Sequence, residues 1–517
     1  MTLTVLITTS GTGSRLNNLT KNTNKSLVKL GDKYAICYIT EKYPSDSDFI
    51  ITLGYFGSYV KQFLKLAYPS HKFTFIEIDK YEGAGSSLGY SLLHAKAYLN
   101  KPFIFHCCDA IVKDPVIFDP NKNTLCVAQS ESNSQYASVL VEENYVKILN
   151  NKGSSSFNFV YTGISYIKDY SQFWVHLERL YKTDPNNSAL SDVHSIQKML
   201  LDGNEFTYNL LEQWFDTGNL ESYSNASKEF KSNYIILEKD YESICFFEDS
   251  VIKFINDAEI NRKRKDRGLN LYPLSPQITS YSDNFIAMQK INGYLLSEYY
   301  IHGEIYKLLS WANKNLWIDP KTDPTFKHIC QNFYIKKTLS RISSLKIAKE
   351  YNIINGIKTK NIKDTITLLD PNLITTDIFT KFHGDFILDN ILKTSQGYCL
   401  LDWRHEFDNQ LYYGDPYYDM AKLRHNIIFN HDNINNDLYT VKYESDDSVI
   451  VDLKCNYFLI QQLSDFDRFA TEQNLDLRKI KLLTAIIWIN MAPLYEGKLQ
   501  EFLFYFGKYN LQFILDS

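Results

Sequence analysis

The residues most able to do chemistry form a short set in the second half of the chain. His383-Gly384-Asp385 is followed five residues later by Asn390, and Asp402 comes directly after the apolar run at 398–401. Phosphoryl transfer uses such a set. One carboxylate orients the acceptor hydroxyl and accepts its proton, while an Asn and a second Asp hold the Mg²⁺ ions that bridge the phosphates. The spacing therefore predicts a phosphoryl-transfer site.

The same residues resemble the catalytic segment of the aminoglycoside phosphotransferase and choline kinase family, H-G-D-x-x-x-x-N followed by I-D, over about residues 235–500. The resemblance implies that Asp385 is catalytic and that Asn390 and Asp402 are Mg²⁺ ligands. It also implies that Lys253 steadies the phosphates of ATP. The acidic partner of Lys253 stays open.

A second set of residues follows the first apolar run of the chain. Gly11-Thr12-Gly13-Ser14-Arg15-Leu16 is a glycine loop, and glycines at such a place let backbone N–H groups approach phosphate oxygens. The loop is not the dinucleotide fingerprint G-x-G-x-x-G, because Leu16 stands at the last glycine position. It also lacks the Gly-Lys-Ser/Thr ending of a P-loop.

Together with Asn24-Lys25-Ser26-Leu27, the loop resembles the signature of the sugar-phosphate and phosphocholine nucleotidylyltransferases, G-x-G-[ST]-R-L and then a lysine in a P-K-x-L context. Asn24 stands where proline is usual. Further matches to this family follow in the same order at 82–90, 103–109, 161–164 and 214–223. The resemblance covers about residues 1–228.

This second resemblance implies transfer of a nucleotide from an NTP to a phosphorylated acceptor, with release of pyrophosphate. Arg15 and Lys25 are expected at the triphosphate and the α-phosphate as catalytic residues, and Asp109 and Asp216 as the ligands of Mg²⁺. The predicted nucleotide contacts are Gly11, Gly13, Ser14, Gly83, Gly85, Ser86 and Ser87.

The elements that must position these residues change along the chain. Strand-type runs lie at 3–8, 49–53, 73–78 and 103–106, with helical stretches at 59–67 and 88–99. This alternation predicts βαβ units, and hence an α/β, Rossmann-like N-terminal domain with a mainly parallel sheet. Ligands on such a sheet bind at the carboxyl ends of the strands, where Gly11, Gly13 and Asp109 fall.

The pattern changes near residue 229. β-type runs at 234–238, 243–247 and 251–255 precede a mostly helical region, and the last two runs predict a hairpin. With the kinase resemblance, this predicts a bilobal protein-kinase-like α+β domain. The predicted domains are 1–228 and 229–517, the second with a small lobe at about 229–293 and a helical lobe at about 294–517. A dense basic run at 261–267 indicates either a solvated helix face or a phosphate-facing patch.

Composition excludes several classes of protein. Of the 517 residues, 44% are hydrophobic and 22% charged, as in ordinary globular domains. The net charge of −5 argues against a general nucleic-acid binder. Eight cysteines without a C-x-x-C pair are too few for a disulfide scaffold, which fits a reducing cytoplasm. We expect no signal peptide, because the N-terminus lacks a basic region followed by an apolar core and a small-residue cleavage site. We expect no membrane insertion, because the apolar run at 482–494 is shorter than a bilayer requires and indicates a buried helix.

Two phosphate-transfer sites in one chain predict a bifunctional enzyme. It would use ATP to phosphorylate a small hydroxylated metabolite, with a sugar or polyol favoured, and then couple the phosphate to CTP or UTP. The product would be an NDP-activated precursor for surface polysaccharides. One alternative is a choline or ethanolamine kinase joined to a CTP:phosphocholine or phosphoethanolamine cytidylyltransferase. Another is a nucleotide-binding regulatory protein with one inactive domain. The sequence leaves open the acceptor, the base of the NTP, the oligomeric state, and whether both activities act on one substrate.

Overall fold

The computed structural model describes residues 2–154, 156–232, 234, 241–298, 301–454 and 457–517. Its contacts divide the chain into two compact units. The first unit comprises Met1–Asn261 and Thr279–Lys290, and the second comprises Arg262–Ile278 and Ile291–Ser517. The sequence predicts that residues 1–228 and 229–517 fold independently. That boundary at residue 228 stays a prediction. The predicted run at 234–238 lies, apart from residue 234, outside the described residues.

The first unit alternates strands and helices along most of its length. Its strands are β1 (Thr4–Thr8), β2 (Lys29–Leu30), β3 (Lys33–Tyr34), β4 (Asp48–Leu53), β5 (Lys72–Glu77), β6 (Phe103–Cys107), β7 (Ala110–Val112), β8 (Asn123–Ala128), β9 (Ser138–Glu142), β10 (Tyr145–Asn150), β11 (Phe159–Ile167), β12 (Phe206–Leu211), β13 (Trp214–Asp216), β14 (Glu242–Phe246), β15 (Ser250–Ile255), β16 (Ile278–Tyr281) and β17 (Phe285–Gln289). Its helices are α1 (Ala35–Thr40), α2 (Gly57–Ala67), α3 (Leu88–Ala95), α4 (Tyr170–Thr183), α5 (Asp192–Leu201), α6 (Leu220–Glu229) and the first residues of α7 (Ala258–Leu271), with 3₁₀ turns at Ser14–Thr20, Lys25–Leu27 and Lys96–Tyr98.

A nine-stranded sheet with the order β5-β4-β1-β6-β11-β8-β12-β10-β9 forms the centre of the first unit. The four strands predicted before residue 107 are confirmed as β1, β4, β5 and β6, which are mutually parallel. Thr8 therefore lies opposite both Thr52 and Cys107, and the carboxyl ends of these strands meet at one edge of the sheet.

The rest of this sheet corrects the prediction of a mainly parallel sheet. β11 runs antiparallel to β6, β8 and β9, and β10 runs antiparallel to β9 and β12, so the sheet is mixed. Parallel neighbours need long crossover connections, which are usually helical. Helices α2 and α3 lie in such connections among the early strands, and α4 and α5 lie between β8 and β12, which also pair parallel. β9 and β10 are joined by a tight two-residue turn, which allows only antiparallel pairing.

A four-stranded antiparallel sheet with the order β14-β15-β17-β16 completes the first unit. The predicted hairpin is confirmed as β14 and β15, and the Phe247 N–H donates to the Ser250 carbonyl at 2.8 Å. Buried Ile252 and Phe285 of this sheet belong to the same apolar core as Val5 of β1. The strands that the sequence assigns to the small lobe therefore pack, within this unit, on the core of the nine-stranded sheet.

The second unit is mostly helical. Its helices are the remainder of α7, α8 (Glu304–Asn315), α9 (Phe326–Gln331), a π-helical turn (Asn332–Lys336), α10 (Lys337–Ile342), α11 (Ile362–Leu368), α12 (Pro416–Ile428), α13 (His431–Asn435), α14 (Tyr457–Glu472), α15 (Leu477–Met491) and α16 (Gly497–Asp516), with 3₁₀ turns at Pro371–Leu373, Leu388–Asn390 and Ala492–Leu494. Its strands are β18 (Tyr294–Leu295), β19 (Lys321–Thr322), β20 (Ile353–Ile354), β21 (Ile357–Lys358), β22 (Ile378–Lys381), β23 (Ile391–Thr394), β24 (Gly397–Leu400), β25 (Tyr413–Gly414), β26 (Tyr439–Ser445) and β27 (Ser448–Leu453).

Helix α15 forms the centre of this unit, because it packs against both α12 and α16. It contains most of the apolar run at 482–494, and its residues from Leu482 to Ile489 are all buried, which confirms the predicted buried helix. The predicted phosphotransferase segment lies between β22 and β23, and Asp402 follows β24. The bilobal kinase-like architecture stays a prediction. Among the described residues, no helix combines the length and apolar character needed to cross a membrane.

Candidate active sites

An ion pair lies just beyond the carboxyl end of β6. The Lys25 Nζ is 3.1 Å from Oδ2 of Asp109, and both side chains are less than one-fifth exposed. The Cys107 thiol donates to the other carboxylate oxygen at 2.8 Å. Burial alone would raise the pKa of Asp109, but Lys25 and the Cys107 thiol outweigh it and lower the pKa to about 2. Burial likewise opposes the charge of Lys25, yet Asp109 raises the pKa of Lys25 well above its ordinary value. Both groups are therefore ionised at neutral pH.

Asn24 fixes the backbone that carries Lys25. Its side chain is fully buried, and its Nδ2 donates to the carbonyl oxygens of Thr9 at 2.8 Å and Tyr55 at 2.6 Å. Its Oδ1 accepts from the backbone N–H and the hydroxyl of Ser26 at 2.9 and 2.7 Å. Asn24 thus ties the 3₁₀ turn that starts at Lys25 to the ends of β1 and β4. Proline, usual at this position in the family that the sequence resembles, could make none of these side-chain bonds.

The glycine loop runs beside this ion pair. Gly13 has φ +67°, and a Cβ placed on it would lie 2.9 Å from the Cβ of Lys25, so glycine is required both for the conformation and for the close approach. A Cβ on Gly11 would meet nothing within 4 Å, and Ser14 and Arg15 are exposed. The loop therefore has an accessible rim next to Lys25.

Asp216 is brought to the same place by strand pairing. β13 pairs with β7 so that Asp216 lies opposite Ala110, and the Thr217 N–H donates to the Asp109 carbonyl at 2.9 Å. A Cβ placed on Gly218 would lie 3.0 Å from Oδ1 of Asp216, 3.1 Å from Oδ2 of Asp109 and 3.5 Å from Nη2 of Arg15. The structure thus brings Arg15, Lys25, Asp109 and Asp216 together, as the sequence predicts for one site.

The second carboxylate lies in a different electrostatic environment. Burial and the neighbouring charge of Asp109 raise the pKa of Asp216, although hydrogen bonds offset part of this effect. The Gly218 N–H donates to Oδ1 at 2.9 Å, and the Tyr136 hydroxyl donates to Oδ2 at 3.0 Å. Tyr136 also packs edge-on against Trp214. Sequence reasoning missed Tyr136 and Cys107, because nothing in the local pattern shows that they touch the two carboxylates.

These carboxylates fit a divalent cation. The space that a Cβ on Gly218 would fill is bordered by one oxygen of Asp109 and one of Asp216, and glycine leaves it open. Carboxylate oxygens are the ligands that Mg²⁺ prefers, and Mg²⁺ typically takes one or two protein carboxylates and completes its shell with water and phosphate oxygens. The two nearby carboxylates also repel each other, so each makes ionisation of the other less favourable. A cation bound between them would relieve this repulsion.

The predicted base-contacting segment forms the turn before α3. Gly83 and Gly85 have φ +78° and +80°, where glycine is favoured. The Ser86 hydroxyl donates to the Gly83 carbonyl at 2.7 Å, and the Ser87 Oγ accepts from the Tyr90 N–H at 3.0 Å as the N-cap of α3. The structure thus gives both serines a local role in shaping the turn. Their contact with a nucleotide stays a prediction.

In the second unit, Asp419 of α12 holds the predicted catalytic segment. Its carboxylate accepts from the backbone N–H groups of His383 and Gly384 at 2.7 and 2.6 Å, and from the Trp317 indole at 3.1 Å. Burial raises the pKa of Asp419 to about 6, partly offset by these bonds. His383 Nε2 donates to the Leu401 carbonyl at 2.8 Å while Nδ1 accepts from the Asp385 N–H at 3.2 Å. Burial lowers the pKa of His383 to about 4, so the neutral ring orients the segment.

The predicted catalytic carboxylate is accompanied by a cation. Lys422 of α12 places its Nζ 2.8 Å from Oδ1 of Asp385. Burial opposes the ionisation of Asp385, but Lys422 outweighs it and lowers the pKa of Asp385. Asn390 donates from Nδ2 to the Asp385 carbonyl at 3.0 Å and to its Oδ2 at 3.3 Å, so neither bond uses the amide oxygen of Asn390, the atom that could accept a metal ion. The structure therefore brings Asp385 and Asn390 together.

The third member of the set, Asp402, is paired with a cation that the sequence did not identify. The Arg264 Nη1 lies 2.6 Å from Oδ1 of Asp402, and the Leu401 N–H donates to the Asn390 carbonyl at 2.7 Å, which links the two segments. Arg267 is fully buried and donates to the carbonyl oxygens of Phe382 and His383. The expectation of a solvated face is therefore wrong for these two residues of the basic run, whose charges are satisfied by the predicted site.

Lys253, on β15 in the first unit, has Glu242 as its acidic partner. Its Nζ lies 3.1 Å from the Glu242 carboxylate, and both side chains are mostly buried. The pair is made across the hairpin, where Lys253 lies opposite Ile244 and Glu242 lies opposite Ile255. The role of Lys253 toward ATP stays a prediction.

Comparison with known proteins gives structural likeness alone. No family model matches the sequence, and no curated protein matches it. Among solved structures, a CTP:phosphocholine cytidylyltransferase from Streptococcus pneumoniae is similar at 20% identity and a TM-score of 0.38, over 45% of this chain and 100% of that chain. An inositol-1-phosphate CTP transferase from T. maritima is similar at 17% identity and a TM-score of 0.37, over 46% and 98%. A UTP-bound UGPase from Acinetobacter baumannii is similar at 16% identity and a TM-score of 0.37, over 44% and 93%.

Proposed function

We propose that the first unit transfers a nucleoside monophosphate from CTP or UTP to the phosphate of a small acceptor and releases pyrophosphate. The observation that carries the proposal is the convergence of Asp109, Asp216, Lys25 and Arg15 at the carboxyl edge of the parallel strands. Two carboxylates suited to a divalent cation, next to two cationic side chains and an open glycine loop, match the needs of a bound triphosphate.

The chemistry follows from these groups. A phosphate oxygen of the acceptor attacks the α-phosphorus, and the bond from that phosphorus to the bridging oxygen breaks, so that pyrophosphate leaves with the electron pair. Lys25 would donate to an α-phosphate oxygen, and the exposed Arg15 to the phosphates beyond it. Held by Asp109 and Asp216, Mg²⁺ would supply neutralising charge at the phosphoryl oxygens. No side chain has to act as a nucleophile or a base, because the acceptor phosphate is already an anion.

We propose that the second unit phosphorylates a hydroxyl group with ATP. Asp385 would accept the hydrogen bond, and then the proton, of the acceptor hydroxyl, and Lys422 keeps it ionised for that task. Asn390 and Asp402 would hold Mg²⁺ at the phosphates, with Arg264 holding Asp402 in place. Asp419 and His383 orient the backbone around Asp385.

The two reactions fit a sequence in which the ATP-dependent step comes first. The residues described around Asp109 offer cations and metal ligands for phosphate groups, and none of those described has been assigned a role toward a bare hydroxyl, whereas Asp385 can accept the proton of one. The product would be a nucleoside-diphosphate-linked small molecule, a type of compound that surface polysaccharide synthesis consumes. A sugar or polyol is the proposed acceptor class.

Mass spectrometry of reaction products tests this function. The protein is incubated with a library of small hydroxylated metabolites, ATP, Mg²⁺, and CTP or UTP. We expect a phosphorylated intermediate and a nucleoside-diphosphate-linked product from one library member. Asp385→Asn should remove both, and Asp109→Ala should remove only the second. A nucleoside-diphosphate-linked product that persists in Asp109→Ala, or binding of NTP without turnover of any member, would contradict the proposal.

A further inference from the structure

Four cationic side chains of the second unit lie near one another, and two of them contact the predicted catalytic segment. They are Lys337 and Arg341 of α10, Arg404 in the segment after β24, and Lys422 of α12. Lys337 and Arg404 share one aromatic ring, since their charged groups lie 4.2 and 5.0 Å from the ring centroid of Phe333. We call these four residues the cationic cluster.

The cationic cluster reaches the reacting carboxylate. Lys422 is within 2.8 Å of Asp385, as described above. Arg404 packs against the residue before Asp385, because a Cβ placed on Gly384 would lie 2.6 Å from the Cβ of Arg404. The Arg404 N–H also donates to the His383 carbonyl at 3.1 Å. A molecule held by this cluster would therefore lie close to the group proposed to receive the hydroxyl proton.

The charge of the cluster is not balanced within the described part of the chain. There, no carboxylate lies within ion-pair distance of Lys337, Arg341 or Arg404. Arg341 and Arg404 donate to the backbone carbonyls of Asn490 and Glu406 at 2.8 and 2.9 Å.

Asp408 is the carboxylate whose charge acts on Lys337, and it accepts a hydrogen bond from Asn332 at 3.1 Å. Burial and the neighbouring cations nevertheless lower the pKa of Lys337 to about 6. Partly buried like charges are costly, and a bound anion would relieve that cost.

We propose that the acceptor phosphorylated by the second unit carries an anionic group, a carboxylate or a phosphate, and that Lys337, Arg341 and Arg404 bind it. The inference rests on the proposed kinase function and narrows its substrate class. The anionic group lies in the cluster while a hydroxyl of the same molecule lies at Asp385. Choline and ethanolamine, which are cations, do not fit such a site.

Matched acceptors that differ only in charge test this proposal. Phosphorylation by ATP is measured for glucose, glucuronate and glucose 6-phosphate, for glycerol, glycerate and glycerol 3-phosphate, and for choline. We expect kcat/KM for an anionic member to exceed that of its neutral counterpart at least tenfold, and the carboxylate and phosphate arms identify the anionic group. Equal or higher kcat/KM for a neutral sugar or for choline would overturn the proposal.

Lys337→Met distinguishes binding of the acceptor's anionic group from binding of the ATP phosphates. Lys336→Met is the control, because Lys336 is the exposed neighbour of Lys337. We expect Lys337→Met to raise KM for the anionic acceptor at least tenfold while kcat and KM for ATP stay within twofold of wild type, and Lys336→Met to change nothing. A rise in KM for ATP instead would assign the cluster to the phosphates of ATP and overturn the proposal.

Direct binding distinguishes failure of this inference from failure of the kinase function. Calorimetry measures glycerol 3-phosphate, glucose 6-phosphate and glucuronate binding to wild type, Lys337→Met and Lys336→Met, without ATP. Binding that only Lys337→Met weakens supports the cluster as an anion site. If none of the three compounds binds, the inference of an anion site is overturned. If ATP phosphorylates none of the compounds tested, the kinase function is overturned.

Discussion

Replacing Lys25 with methionine would leave the Asp109 carboxylate with the Cys107 thiol as its one remaining hydrogen-bond donor among the contacts described above. Methionine keeps the length of the side chain and removes its charge. Taking away one partner of a buried ion pair costs about 3–5 kcal/mol, and the residual exposure of these two side chains places the cost at about 3 kcal/mol. For a unit of this size, that corresponds to a fall in Tm of roughly 6 °C.

A divalent cation should reverse part of this loss, because it would supply positive charge to Asp109. We therefore expect Mg²⁺ to raise the Tm of Lys25→Met more than that of wild type. The measurement is thermal unfolding with and without Mg²⁺, added at roughly tenfold its dissociation constant. Turnover should remain low with Mg²⁺ present, roughly 10²- to 10³-fold below wild type, because one donor to the developing phosphoryl charge is gone.

Lys21→Met is the matched control, since Lys21 lies four residues earlier and is exposed. It should unfold like wild type and show the same response to Mg²⁺. If Lys25→Met were as stable as Lys21→Met, or if Mg²⁺ stabilised it no more than wild type, the proposed electrostatic role of this ion pair would be refuted.

Three further variants extend the test. Asp385→Asn, nearly isosteric, should lose ATP-dependent phosphorylation yet still make the nucleotide-linked product from an acceptor supplied already phosphorylated; rejection of that acceptor would end the sequential scheme. Asn24→Ala should lower the first unit's stability by roughly 3 kcal/mol, because several buried hydrogen bonds at about 1 kcal/mol each are lost, and an unchanged denaturation midpoint would contradict its anchoring role. Burial raises the pKa of Asp192, which accepts from Tyr161 at 2.8 Å, to about 6. The native state then holds this proton up to a higher pH than the unfolded state, so the contribution of Asp192 to stability falls by on the order of 3 kcal/mol as pH rises from about 4 to 6. Asp192→Asn should lack this fall, and identical pH profiles of unfolding would count against it.

The early strands and helices of the first unit could be predicted because their signals are local. Each of β1, β4 and β5 is a short apolar run followed by a turn, and the intervening helices show their own periodicity. The strands from β8 to β12, which pair partly parallel and partly antiparallel, could not be ordered in this way, since their pairing depends on contacts between distant segments. The register of a strand depends on the strand with which it pairs, and the sequence of one strand does not show which partner that is.

The candidate sites were predictable where a motif holds the residues at fixed spacing, as for Asp385 and Asn390. The residues that support them were not. Arg264 and Arg267 belong to a charged run that looks solvated in sequence, and only the packing of α7 shows that both are mostly buried at the site. Glu242 contacts Lys253 across the hairpin. Predicting this contact requires the register of the two strands as well as the existence of the hairpin.

Pyrophosphate release is the most direct measure of nucleotidyl transfer at Asp109 and Asp216. Wild type, Asp109→Ala and Asp216→Ala are compared with CTP or UTP, Mg²⁺ and a panel of phosphorylated acceptors that includes sugar 1-phosphates, phosphocholine and the product of the ATP-dependent step. We expect wild type to release pyrophosphate with one acceptor, and each alanine variant to be slower by roughly 10²-fold or more, because losing a metal ligand removes several kcal/mol of transition-state stabilisation. ATP-dependent phosphorylation should stay near the wild-type rate in both variants. Pyrophosphate release at the wild-type rate by either variant would contradict the placement of the site.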